Sequence, residues 1–79
     1  MSPPTKSTSA LPLHQGLVLE LLQRLRREQP EAAELFDHGS MILARADEAA
    51  KLPRGHRDRA LAFADLIEIQ RILLERFSA

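Results

Sequence analysis

His14, His38 and His56 are the side chains in this 79-residue sequence whose charge changes nearest neutral pH. A zinc site needs three or four converging ligands. Glu34 and His38 share the i,i+4 spacing that puts two side chains on one helix face. The three histidines, however, fall in three separate stretches, with no HxxxH or HExxH pairing. The sequence therefore predicts no metal and no cofactor. Nucleophilic catalysis lacks its parts as well: there is no cysteine and no GxSxG, and Gly16, Gly39 and Gly55 are isolated, so no loop cradles phosphate. No constellation of acid, base and nucleophile is present, and the expectation is a protein that is not an enzyme.

Two basic clusters remain. One is Arg24, Arg26 and Arg27; the other surrounds Pro53 with Lys51, Arg54, His56, Arg57 and Arg59. Lys51 suits the C-terminal end of a helix and pairs with Asp47 at i,i+4. Arg57 and Arg59, at the start of the third helix, have no such local reason, and with Arg54 they are the candidate contacts to nucleic acid or an acidic partner. They support an alternative reading, a small dimeric DNA-binding regulator or antitoxin-like protein using its basic turns. The helix-turn-helix template fails when tested directly. With Gly39 at its turn, Leu35 falls where that motif wants a small residue, and Arg45 and Glu48 fall where its second helix buries apolar ones.

Composition bounds the rest. Eleven basic and eleven acidic residues cancel, so no global field steers the chain to nucleic acid or anionic lipid. There is no Trp or Tyr and only three Phe, which leaves no platform for stacking bases. No apolar run approaches the ~18 residues of a membrane span, and no secretory h-region is visible; a cytoplasmic location is expected. Nine of the eleven basic residues are Arg; with abundant Ala and Leu, this is the usage of a GC-rich bacterial or phage genome.

The elements that must carry any function read as helices. Residues 1–12 (MSPPTKSTSALP) contain three prolines and are expected to be a disordered tail. Residues 13–79 are expected to form a single helical domain. A first helix over about 13–28 carries Leu17, Val18, Leu21, Leu22 and Leu25 on one face. Pro30 breaks the pattern and suits the first position of a second helix, about 30–52. That helix has a row of small residues, Ala32, Gly39 and Ala46, seven apart. Small residues admit a close neighbour, and the third helix is expected to fill the row with Phe63, Ile67, Leu74 and Phe77. Pro53 and Gly55 make a short turn, and a turn that short predicts an antiparallel pairing of the second and third helices.

The third helix, about 56–77, organises the reading. Placed 100° apart, Ala62, Phe63, Leu66, Ile67, Ile69, Leu73, Leu74 and Phe77 fill a continuous arc of about 160°. Leu61 and Ile72 lie on the opposite, charged side. A surface helix needs only about 100° or slightly more, and a chain this short has little core to cover the excess. The predicted fold is all-α: a three-helix unit built on a long antiparallel helical hairpin, assembling into a dimeric helical bundle. The predicted function is a small protein–protein interaction module (adaptor, chaperone-like or inhibitor) with a homodimeric or heteromeric protein partner. Its predicted partner-binding residues are Ala62, Phe63, Leu66, Ile69, Gln70, Leu73 and Phe77, with the Gln70 amide setting register against the partner.

Overall fold

In the computed structural model, which describes residues 10–78, the chain forms three helices: α1 over Ala10–Glu28, α2 over Ala33–Ala49 and α3 over Arg57–Ser78. Among the described residues there is no strand. Residues 1–9 of the expected tail lie outside the described residues. Ala10–Pro12, assigned to that tail by its composition, belong to α1. Pro12 is tolerated there because a helix's first turn has no partner for the N–H that proline lacks.

The break after α1 is a tight turn. The Ala32 N–H bonds to the Gln29 carbonyl at 2.9 Å, which places Pro30 and Glu31 at the turn's two central positions. Pro30 thus shapes the turn and does not open α2, which starts at Ala33. Between α2 and α3 the His56 N–H bonds to the Pro53 carbonyl at 3.0 Å. Gly55 occupies this second turn with φ +85°, a conformation that side chains disfavour.

α2 runs unbroken through Gly39. A Cβ at that position would lie 2.7 Å from Cδ2 of Leu22. The small-residue row therefore does admit a close neighbour at Gly39, but the neighbour is α1, not α3 as the sequence reading expected. Ile67 and Leu74, two of the expected fillers, are exposed.

Each helix contacts both of the others. α1 contributes Leu11, Val18, Leu21, Leu22 and Leu25 to the core, α2 contributes Ile42 and Ala46, and α3 contributes Leu66, Ile69 and Leu73. Among the described residues no buried side chain is polar or charged. Leu11, Val18 and Leu25 recur at seven-residue intervals, so the early start of α1 extends its buried row by about two turns. That length is what the sequence reading missed. A first helix that contacts both others and is buried from Leu11 to Leu25 shelters more apolar surface.

Candidate functional site

The apolar arc of α3 is not buried evenly. Leu66, Ile69 and Leu73, toward one edge of it, are 0%, 1% and 0% exposed within the single chain. These three were expected to meet a partner; instead α1 and α2 enclose them, and they form the protein's own core. Ala62, Phe63, Gln70 and Phe77 are half-buried. Ile67 and Leu74, at the other edge of the arc, reach solvent at 37% and 42% exposure, as does Leu61 on the charged side at 53%. Ile72, placed by the helical wheel on the charged side, is half-buried and packs against the core. Of the three exposed residues, Leu61 was placed on the charged side, while Ile67 and Leu74 were assigned to filling the small-residue row of α2. The signal for Leu61 was legible: a leucine among charges.

Gln70 has a partner in its own chain. Its Oε1 is hydrogen-bonded to Nδ1 of His14, 56 residues away on α1. An amide oxygen only accepts, so the proton lies on Nδ1 of His14. The Phe63 ring tilts against the same imidazole, with centroids 5.6 Å apart. The register that Gln70 sets is between α1 and α3.

The basic residues around the second turn separate by role. Arg59 is half-buried, and its Nη1 donates to the carbonyls of Ala50 at 3.1 Å and Leu52 at 3.0 Å. It thereby covers carbonyls that the end of α2 leaves without helical partners. Arg54 and Arg57 are exposed, and neither forms an ion pair among the described residues. His56 serves α3 itself, its Nδ1 accepting the Asp58 N–H at 3.1 Å. His14, His38 and His56 thus occupy a helix seam, the outside of α2 and the start of α3. Among the described residues no group of three His, Asp or Glu comes close enough to hold a metal ion.

On the outer side of α3, Arg71 bridges Glu68 at 2.6 Å and Glu75 at 2.9 Å. The hydrogen bond to Glu68, followed by that to Glu75, raises its pKa above the usual guanidinium value. At the α1 end, the Arg24 guanidinium lies 4.3 Å from the Phe77 ring centre and pairs with Glu28 at 3.1 Å. Arg24 thus covers part of an aromatic ring that the fold leaves half-open.

Two open grooves follow the helix seams. One, of about 480 Å³, lies between α1 and α2 and includes Gly16, Leu19, Phe36 and Leu43. The other, of about 740 Å³, lies between α2 and α3; Met41, Ala44, Leu61 and Ala62 line it, with Arg45 and Asp65 at its edges. Met41 is 44% exposed. Neither groove carries a nucleophile beside a base, so what they offer is apolar contact with polar rims. No described helix is long and apolar enough to cross a membrane. No family model matches the chain, and no curated protein or solved structure matches it either.

Proposed function

We propose that this protein is a small non-enzymatic protein–protein interaction module working through α3, and that its first partner is a second copy of itself. The observation that carries the reading is the pair Ile67 and Leu74. They lie seven residues apart on one line of α3, outside a core that is already complete, and both are exposed. Phe63 and Phe77 flank that line and are only half-buried. A single exposed leucine needs no explanation; a line of them on one helix, edged by half-open aromatic rings, is the pattern of an interface core. The interface in this reading is shifted from the seven predicted partner-binding residues: it centres on Ile67 and Leu74, which that set did not include, because Leu66, Ile69 and Leu73 serve the monomer.

The finer architecture belongs to the same proposal. α2 and α3 form an antiparallel hairpin, a course supported by Arg59, at the start of α3, reaching the carbonyls at the end of α2. Two copies then pack α3 against α3 as an isologous dimer, the commonest oligomeric form.

Sedimentation at micromolar concentration tests it. The expected result is a dimer that Ile67→Asp/Leu74→Asp converts to a folded monomer. A wild-type chain that is monomeric throughout, with a sharp melting transition, overturns the homodimer.

A further inference from the structure

We infer that the groove between α2 and α3 is a second docking surface, and that its occupant is an amphipathic helix with basic flanks, supplied by another protein. The inference rests on the reading of this chain as an interaction module but concerns a different face from the Ile67–Leu74 line. Asp58, Leu61 and Asp65 recur at i, i+3 and i+7 on α3 and all line the groove. Met41, Arg45 and Glu48 recur at i, i+4 and i+7 on the facing wall of α2.

The floor between these walls is low, because the small residues Ala49, which is buried, and Ala62, which is half-buried, line the groove with Met41 and Leu61. Small residues flanking two large exposed apolar ones let a helix approach and seat its own large side chains. The rim decides which helix. Asp58, Asp65 and Glu48 are acidic, and Arg45 is the basic residue among them. Glu48 is engaged with Lys51 at 3.6 Å. Asp58 and Asp65 form no ion pair among the described residues. Two unpaired carboxylates two helical turns apart, with Leu61 between them, complement a helix carrying Lys or Arg beside an apolar stripe. An acidic helix in the same place would set like charges against each other.

Two fluorescently labelled synthetic helices test this against the full chain. One is built of Leu and Lys with Leu at i, i+3, i+4 and i+7; the other has the same pattern with Glu in place of Lys. Anisotropy titration is expected to show the Lys helix binding at least about 10-fold more tightly than the Glu helix. Asp58→Lys/Asp65→Lys, at two exposed positions, is expected to reverse that order while leaving the circular dichroism spectrum unchanged. Leu61→Asp is expected to weaken both helices. Ile67→Asp/Leu74→Asp is expected to leave binding of the Lys helix intact even where it abolishes self-association. Indifference of the Lys helix to Asp58→Lys/Asp65→Lys overturns the inference. Loss of its binding in Ile67→Asp/Leu74→Asp also overturns it, by moving the contact to the dimer face. A monomeric wild type that still binds the Lys helix overturns only the homodimer.

Discussion

His14 and Gln70 are hydrogen-bonded side chain to side chain across the α1–α3 seam, with the Phe63 ring against the imidazole. Within the described residues it is the side-chain hydrogen bond spanning the most sequence, and it ties the first helix to the third at one register. A hydrogen bond of this kind has a net worth of about 0.5–1.5 kcal/mol. His14→Ala and Gln70→Ala are each expected to destabilise the fold by about that amount in urea denaturation. The double variant is expected to cost less than the sum of the two, because the pair acts as a unit. Strict additivity would show that the two side chains are energetically independent.

The glycines inside helices differ, and substitution separates them. Gly16 is exposed in α1, and a Cβ there would meet nothing within 4 Å. Gly16→Ala is expected to stabilise the protein by about 0.5–1 kcal/mol through helix propensity alone. At Gly39 the same gain is opposed by Leu22, whose flexible end must shift aside. Gly39→Ala is expected to fall within about 1 kcal/mol of wild type. Gly39→Leu is expected to be worse by at least about 2 kcal/mol, since several added heavy atoms have nowhere to go. Equal tolerance of Ala and Leu by thermal melting would refute the close approach of α1.

Adjacent leucines on α3 offer a sharper contrast. Leu73 is fully buried and Leu74 is exposed. Leu73→Ala is expected to cost about 2–5 kcal/mol, and Leu73→Asp to leave the chain unfolded by circular dichroism, because it buries an unpaired charge. Leu74→Asp is expected to change monomer stability by less than about 0.5 kcal/mol while weakening self-association. Unfolding by Leu74→Asp would mean that residue 74 belongs to the core.

Arg59 and Arg57 are two residues apart and have different work. Hydrogen bonds from a charged donor are worth about 1.5–3 kcal/mol. Partial exposure of Arg59 lowers the expected cost of Arg59→Ala to about 1–2 kcal/mol, or several degrees in Tm for a domain of this size. Arg57→Ala is expected to leave Tm unchanged. If Arg54→Glu/Arg57→Glu abolished a salt-dependent shift of duplex DNA, these two residues would be a nucleic-acid contact; with no shift in the wild type, they are solvated charges.

Much of the secondary structure was legible because its causes are local. Leucines at helical spacing mark α1, the proline before Glu31 marks the first turn, and Pro53 with Gly55 marks the second; each acts through backbone sterics or 3.6-residue periodicity. Those same local rules put Ile67 and Ile69 in one apolar arc, yet the first is exposed and the second buried. A periodicity fixes a residue's angle about its own helix but not which neighbours lie at that angle. Only the tertiary structure decided that α1 contacts both α2 and α3, that its Leu22 fills the space at Gly39, and that Gln70 and Arg59 are satisfied within the chain. Each depends on contacts between segments that the pattern within any one segment does not encode.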